Sequence, residues 1–334
     1  MVENKDLKKN KSSSLKLRTI TGIIMAAVVI GVLFIPVPVG IYIFQAGIIF
    51  FALIGALEMI KMFETESKFS IAAKACILVI TALIILNIDV YSEGAYEILS
   101  QTTHGFQAIM GIVEFLPLLI LGTIVILGLT VFDKNFDGKN AGKALLVIFY
   151  VGLGMSSIFI LRLWGIKFLV YAILISSSTD VFAYLIGSAI GKHKMAPTIS
   201  PKKSWEGAIA GTIIATAVAS CFALFYGDFF PDGSWIGEIF NSSGQQTMLD
   251  SFDIIKNNFS VAEQAFIVVP ITLVASVVGQ IGDLIASRFK RTYEIKDFGN
   301  IFPGHGGVMD RLDSIIFLSM FLVSIFLLIS GFEV

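Results

Sequence analysis

Nine long apolar blocks constrain this chain more than any other feature of its sequence. They cover approximately residues 19–35, 39–60, 71–88, 107–131, 143–161, 167–190, 206–226, 264–287 and 314–331. A helix needs roughly 20 apolar residues to cross the hydrocarbon layer, because each residue adds about 1.5 Å along its axis. Lipid offers no partner for a free backbone amide, so each block should be helical. The sequence therefore predicts an all-α, polytopic integral membrane protein with about nine transmembrane helices.

The composition supports a membrane location and argues against nucleic-acid binding. Hydrophobic residues make up 56% of the chain and charged residues 15%, whereas soluble domains contain about 25% charged residues. The net charge of −1 gives no sign of a strongly basic surface for nucleic acid. Both cysteines, Cys76 and Cys221, fall within apolar blocks, so we expect packing roles and no disulfide framework.

The distribution of basic residues predicts the orientation in the membrane. With a cytoplasmic N-terminus and nine spans, 21 of the 24 lysine and arginine residues fall in cytoplasmic segments. The other three are Arg162, Lys167 and Lys256. This asymmetry follows the positive-inside rule, and nine spans place the C-terminus outside. We therefore expect Arg162 to lie on the outer side and to tolerate replacement by alanine.

The two halves of the chain differ in character. A basic tail at 1–18 precedes about five predicted spans in 19–165, which contain few polar groups. The segment 166–334, with about four spans, holds nearly all of the unusual polar residues. Within it, the polar stretch 227–263 is predicted to be a long outer loop with a short helix near 246–257.

The first polar motif is a run of small hydroxyl residues that ends at Asp180, inside the sixth block. A charged aspartate at this depth costs about 2.5–3.5 kcal/mol, so it should face a polar cavity, a cation or a partner. Helical spacing places four residues on one face: Asp180, Tyr184, Gly187 and Gly191. The two glycines form a pair that allows close approach of another helix. Hydrogen bonding between helices is the alternative role for the hydroxyl run and Asp180.

The second motif is basic and comprises Lys192, His193 and Lys194, followed by the segment 200–207. Ser200 and Pro201 are predicted to begin a helix, as the N-cap and the first helical residue. Lys202 and Lys203 would then lie at a helix N-terminus, whose amides favour an anion. For this segment alone, ordinary positive-inside charge is an equally good explanation.

The third motif concentrates charged and glycine residues in the segment 283–313. Asp283 and Ser287 are four residues apart, so both oxygens project from one face of a helix. Lys290 and Arg291 follow one turn later, and Asp310, Arg311 and Asp313 begin the last block. Hard oxygen ligands beside fixed cations suit Mg²⁺ bound together with phosphate groups.

Between these charged groups lies a glycine-rich turn, Gly304–Gly307, that contains His305. Such a turn can bring backbone amides close to phosphate oxygens. Structural roles are the alternatives, as an ion pair between Asp310 and Arg311 and a turn hydrogen bond for His305. The gathering of all these groups in one short segment favours a functional site.

At this third motif the chain resembles the phosphatidate cytidylyltransferase (CDP-diacylglycerol synthase) family. The residues that match the family signature are Ser287, Lys290, Arg291, Lys296, Asp297, Pro303 to Gly307, Asp310, Arg311 and Asp313. The motifs at 180–187 and 200–207 are also similar to family elements. The resemblance is specific over roughly 175–315, and the first half matches only as a hydrophobic pattern. Ala286 departs from the family, which often has an acid there.

The resemblance implies a role for each group of residues. Asp283, Asp310 and Ser287 would hold a catalytic Mg²⁺ ion, with a monovalent cation such as K⁺ beside it. The cations that would act on the phosphates of CTP or the headgroup of phosphatidate are Lys290, Arg291 and Arg311. The further substrate-binding residues would be Asp180, Tyr184, Lys202, Lys203, Lys296, His305, Gly306, Gly307 and Asp313.

The implied reaction joins CTP to phosphatidate and yields CDP-diacylglycerol and pyrophosphate at the cytoplasmic face of the cell (inner) membrane. The partners would be CTP, phosphatidate and membrane lipids, and the oligomeric state stays open, with a homodimer among the options. A CTP-dependent polyprenol or phytol kinase, or a synthase for an ether-lipid analogue, is an alternative of the same broad class. A transporter with Asp180 and Asp283 as ion sites is the alternative of another class, but the paired broken spans expected of one are not evident.

Overall fold

The computed structural model describes residues 39–88, 115–230, 260–304 and 306–330, with isolated positions before 39 and at 233–234. The basic tail and nearly all of the first apolar block lie outside the described residues. So do most of the predicted outer loop and its short helix. Within the described residues the chain is helical apart from one small two-stranded sheet, which confirms the all-α class.

The described elements follow the apolar blocks closely. The helices are α1 (Val39–Phe63), α2 (Ile71–Leu86), α3 (Phe115–Phe132), α4 (Gly138–Val147), α5 (Gly154–Trp164), α6 (Ile166–Ile190), α7 (Trp205–Leu224), α8 (Tyr226–Phe229), α9 (Val261–Thr292) and α10 (Met309–Ser330). A π-helical turn, Ile148–Leu153, joins α4 to α5 without a break. The two strands are β1 (Lys194–Ala196) and β2 (Ser200–Ser204), paired antiparallel.

Six helical segments are long and apolar enough to cross a membrane. They are Val39–Phe63, Gly138–Trp164, Ile166–Ile190, Trp205–Leu224, Val261–Thr292 and Met309–Ile329. Helices α2 and α3 are apolar but shorter. The chain is therefore a polytopic membrane protein in which each of the eight later blocks contains a helix, and the total of nine spans stays a prediction.

One end of the helix bundle gathers the predicted cytoplasmic segments. The Phe63 and Tyr293 rings, at the ends of α1 and α9, have centroids 5.1 Å apart. Lys143 in the middle of α4 lies 2.7 Å from Glu66 in the turn after α1. These contacts hold together segments that the positive-inside rule assigns to the same side of the membrane.

At the opposite end of the bundle, the turn between α5 and α6 buries Arg162. Helices α5 and α6 are separated only by Gly165, whose φ of 143° allows an abrupt turn that other residues rarely adopt. Arg162 and Lys167 on either side of it are 5% and 4% exposed. The Lys167 Nζ atom lies 5.7 Å from the centroid of the Tyr226 ring. The single-residue turn leaves both side chains between helices, and this burial argues against the predicted tolerance of Arg162→Ala.

Small residues bring α6 and α7 into close contact. A Cβ atom placed on Gly187 would lie 3.4 Å from the Cα atom of Gly207, and one on Gly191 would meet Ser204. The predicted role of these two glycines in close helix approach is confirmed. The contact holds the helix that carries Asp180 directly against the helix that follows β2.

Replacing Gly207 with alanine should therefore destabilise the protein. The new Cβ atom would lie 2.5 Å from the Ala183 carbonyl oxygen and 2.8 Å from Gly187 Cα. Backbone atoms cannot move aside without separating the helices, so we expect a loss of about 1–3 kcal/mol, measured by thermal unfolding in detergent. The control is Gly47→Ala on α1, because nothing lies within 4 Å of that Cβ position. Equal melting temperatures for the two variants would contradict this packing.

Buried hydroxyl and amide groups fix the alignment of α6, α7 and α9. Thr179 Oγ1 lies 2.7 Å from Ser276 Oγ, and Gln280 Nε2 donates to Thr212 Oγ1 at 2.7 Å. Such bonds between helices in lipid contribute about 0.6 kcal/mol each on average, so their value here is mainly positional. Helices α6 and α9 each contribute one acidic residue to the site. The hydrogen bonds fix the register of both helices immediately before that residue.

Candidate active site

The segment between α6 and α7 is a β-hairpin and not the start of a helix. Ser204 is the N-cap of α7, and its Oγ atom accepts a hydrogen bond from the Gly207 amide at 3.2 Å. The prediction that Ser200 and Pro201 begin the helix is wrong. Both residues lie on β2, because pairing with β1 keeps this backbone extended up to Ser204. Lys202 and Lys203 consequently lie on β2 and not at a helix N-terminus.

The hairpin carries Lys203 to α9. The Lys203 Nζ atom lies 2.5 Å from Asp283 Oδ2, and both side chains are about a quarter exposed, at 26% and 25%. Arg291 Nε donates to the Ile199 carbonyl at 3.2 Å, which ties the hairpin loop to the end of the same helix. Lys202 is exposed and forms no ion pair with any described residue. Of the two predicted lysines, Lys203 is therefore the one placed against the acidic site.

Three aspartates from three helices form an acidic cluster, which we define as Asp180, Asp283 and Asp313. Each lies within electrostatic range of the other two. Helices α9 and α10 meet here, since a Cβ atom on Gly282 would lie 2.8 Å from the Asp313 carbonyl oxygen. The cations within range of the cluster are Lys203, Lys290 and Arg311. Residues predicted from all three motifs are thus brought to one place.

Asp310 organises the loop between α9 and α10. Its Oδ1 atom accepts from Lys290 Nζ at 2.8 Å. Its Oδ2 atom accepts from the amides of Phe298 and Gly307 at 2.8 and 2.9 Å. The Asp310 side chain is only 3% exposed. In this arrangement the carboxylate is fully engaged with the protein, at a helix N-terminus that favours negative charge.

The glycine-rich turn is built from left-handed backbone. Gly304 and Gly306 have φ values of 78° and 90°, which side chains with a Cβ atom rarely tolerate. Phe302 and Gly306 exchange two backbone hydrogen bonds, at 3.0 and 3.1 Å. His305 lies outside the described residues. The amides of Gly306 and Gly307, which were expected to meet phosphate, instead donate within the protein.

A residue that sequence analysis did not consider completes this loop. Glu58 on α1 is 8% exposed, and its two oxygens accept from the amides of Val308 and Met309 at 3.0 Å each. A Cβ atom on Gly299 or Gly307 would collide with this carboxylate. Glu58 therefore caps α10 from the other half of the chain. The signal in the sequence was an acid inside an apolar block, which is costly unless it has a function.

The remaining predicted residues lie at the same end of the bundle with fewer contacts. Ser287 Oγ donates to Asp283 Oδ1 at 3.3 Å, as expected from their spacing. Lys296 is exposed on the loop after α9, and Arg291 and Arg311 are also exposed. Tyr184, one turn beyond Asp180, is 73% exposed.

The described side chains suit a cation that is completed by phosphate oxygens. No group of three or more His, Cys, Asp or Glu in the described part of the chain could enclose a metal ion by itself. Mg²⁺ typically binds one or two carboxylates together with substrate phosphates. Asp283 and the buried Asp313, with lysine and arginine nearby, provide this incomplete kind of donor set.

The fold and the site together define a polytopic membrane protein with a charged site assembled from both halves of the chain. The model of the Cytidylyltransferase family matches residues 16–329. The chain belongs to this family, which confirms the resemblance found at the third motif.

Several curated relatives carry the name phosphatidate cytidylyltransferase. Those of Staphylococcus haemolyticus (strain JCSC1435), Staphylococcus aureus (strain COL) and Staphylococcus saprophyticus are 34%, 35% and 33% identical over 201 residues. The matched stretch covers 60% of this chain and 65% of each relative. This chain therefore spans just under two thirds of the length of the relatives that it matches.

Proposed function

We propose that the protein is a phosphatidate cytidylyltransferase, which transfers CMP from CTP to phosphatidate and releases pyrophosphate. The observation that supports this function is the ion pair of Lys203 with Asp283 beside that of Lys290 with Asp310. The two ion pairs bring lysines of the second and third motifs together with the acidic residues. The chain that carries them belongs to the Cytidylyltransferase family. The names of the curated relatives agree with the proposal.

In the proposed reaction a phosphate oxygen of phosphatidate forms a bond to the α-phosphorus of CTP. The bond between this phosphorus and the bridging oxygen to the β-phosphate breaks, and pyrophosphate leaves. A phosphate monoester has a second pKa near 6, so the attacking group is anionic at neutral pH. The main barrier is therefore the repulsion between two anions. Three cations around the acidic cluster would lower this barrier by offsetting the negative charge of the two substrates. They are Lys203, Lys290 and Arg311.

For the cation we propose Mg²⁺ held by Asp283, with Ser287 beside it and Asp313 as the second carboxylate. When bound, the ion would offset the charge that builds on pyrophosphate. The sequence prediction assigned Asp310 as a ligand, but its contacts with Lys290, Phe298 and Gly307 favour a role as loop anchor. A monovalent cation such as K⁺ is proposed beside Asp180, the remaining acid of the cluster.

The length of α9 supports an active site at the cytoplasmic surface. Its 32 residues extend about 48 Å at 1.5 Å per residue, which exceeds the roughly 30 Å hydrocarbon layer. The last turns carry Arg288, Lys290 and Arg291. Basic residues of this kind prefer the cytoplasmic side. The acyl chains of phosphatidate could then remain in the bilayer while its headgroup meets CTP from water.

The experiment that tests this function measures pyrophosphate release from labelled CTP by the purified protein, with and without phosphatidate. We expect release that depends on both substrates and on Mg²⁺. Formation of CDP with a long-chain alcohol would instead support the kinase alternative. Absence of turnover with phosphatidate in an intact, folded preparation would overturn the proposal.

A further inference from the structure

The π-helical turn between α4 and α5 places Tyr150 against α9 and α10, two of the three helices that carry the acidic cluster. The Tyr150 ring centroid lies 5.3 Å from that of Phe317 on α10 and 6.3 Å from that of Phe289 on α9. Asp313 and Phe317 are four residues apart and share a face of α10. Tyr150 is 4% exposed, so its ring is held firmly between these helices.

The Tyr150 hydroxyl has no evident structural purpose in this arrangement. Its oxygen is buried and forms no hydrogen bond with any described residue. It lies within electrostatic range of the Asp313 and Asp283 carboxylates. A buried donor without an acceptor is unfavourable, and phenylalanine would fill the same space without that cost. The hydroxyl therefore requires an explanation other than packing.

Asp313 offers the complementary group. It is 8% exposed, and one of its oxygens accepts from the Ser314 amide at 2.9 Å. No described donor is bonded to its other oxygen. A buried donor and the carboxylate of a buried residue thus lie within electrostatic range of one another without forming a bond. Each carboxylate oxygen can accept more than one hydrogen bond, so the Tyr150 hydroxyl would complete the environment of this residue.

The backbone around Tyr150 also departs from ordinary helix. A π-helical turn of the kind formed by Ile148–Leu153 inserts an extra residue and is frequent at functional sites. Packing holds it in place, because a Cβ atom on Gly152 would lie 3.3 Å from Ile84 and one on Gly154 would collide with Ile316. The turn therefore sets which residue of this segment faces the acidic cluster.

We propose that Tyr150 is a positioning residue for the reaction. When the site binds its cation and nucleotide, the Tyr150 hydroxyl donates a hydrogen bond to the Asp313 carboxylate and fixes its orientation. The inference rests on the proposed function for the identity of the nucleotide, and it adds a residue from the half of the chain that lacks the signature motifs.

The test is Tyr150→Phe, which removes the hydroxyl and keeps the ring. Without substrates we expect a melting temperature equal to or above that of the unmodified protein, because an unbonded buried donor is lost. With CTP and Mg²⁺ we expect a smaller rise in melting temperature. In the assay we expect kcat/KM to fall roughly tenfold to hundredfold, the range of a hydrogen bond to a charged group. The Mg²⁺ concentration for half-maximal rate should rise.

The matched control is Tyr171→Phe. Tyr171 is 2% exposed, and its hydroxyl lies 2.5 Å from Thr272 Oγ1. This variant should lower the melting temperature without changing the Mg²⁺ requirement. An unchanged Mg²⁺ requirement and an unchanged CTP-induced shift in Tyr150→Phe would overturn the inference, and so would a lower melting temperature of the unliganded variant. Because the thermal shift needs no lipid, it separates this failure from a failure of the proposed reaction.

Discussion

Replacing Asp283 with asparagine is expected to reduce pyrophosphate formation at least about hundredfold, which corresponds to about 2.7 kcal/mol in the barrier. The substitution keeps the shape of the side chain but removes the charge at the centre of the acidic cluster. Lys203 Nζ, 2.5 Å from Asp283 Oδ2, would lose its anionic partner. The proposed cation would lose its principal ligand, so added Mg²⁺ should restore part of the rate. The measurement is the initial rate across a Mg²⁺ titration.

A matched control separates this effect from a general loss of charge at the same end of the bundle. Glu294 lies two residues after the end of α9 and is exposed, so Glu294→Gln should keep the rate and the Mg²⁺ dependence of the unmodified protein. Both variants should behave as folded proteins in gel filtration and in thermal unfolding. Full activity of Asp283→Asn at an unchanged Mg²⁺ concentration would show that this carboxylate does not hold the ion.

The spans of this protein were predictable because lipid imposes one physical condition on all of them. Every backbone amide must find a partner within its own segment, so apolar length alone indicates a helix. The blocks at 167–190 and 206–226 match Ile166–Ile190 and Trp205–Leu224 within two residues at either end. The first block and most of the outer loop lie outside the described residues, so the count of nine spans remains a prediction.

The signals for a helix start at Ser200 and Pro201 failed because pairing with a neighbouring strand decided the conformation. Pro201 fixes φ near −65°, a value that suits the first turn of a helix and also an extended edge strand. Pairing of Ser200–Ser204 with Lys194–Ala196 selects the strand. The hairpin is also tied to α9 by the hydrogen bond from Arg291 to Ile199. The partner strand lies within ten residues of β2, but Arg291 lies 92 positions after Ile199, outside any sequence window around Pro201.

Site residues were predictable in the second half of the chain because the residues of each motif lie within a few helical turns of one another. Spacing alone placed Asp283 and Ser287 on one face, and the structure agrees. Glu58 and Tyr150 were missed for the opposite reason. Glu58 accepts a hydrogen bond from a residue 250 positions away, and no periodicity in the first half indicates that contact.

Glu58→Gln should therefore impair the enzyme although the residue lies far from every signature motif. The carboxylate accepts from the Val308 and Met309 amides, and glutamine would turn an NH₂ group toward one of these donors. A buried donor without its acceptor costs about 1–3 kcal/mol, so the melting temperature should fall. The loop that Asp310 anchors would shift, and a displacement of about 1 Å can reduce a rate roughly 100-fold.

The control for Glu58→Gln is Glu66→Gln, a nearby glutamate whose side chain is 55% exposed. Glu66 pairs with Lys143 at 2.7 Å, and exposed ion pairs contribute at most about 1 kcal/mol. Its loss should leave both melting temperature and rate nearly unchanged. If Glu58→Gln behaved in the same way, the carboxylate of Glu58 would be a tolerated buried charge and not the cap of α10. A rate loss together with lower stability would instead show that the N-terminal helices position the loop between α9 and α10.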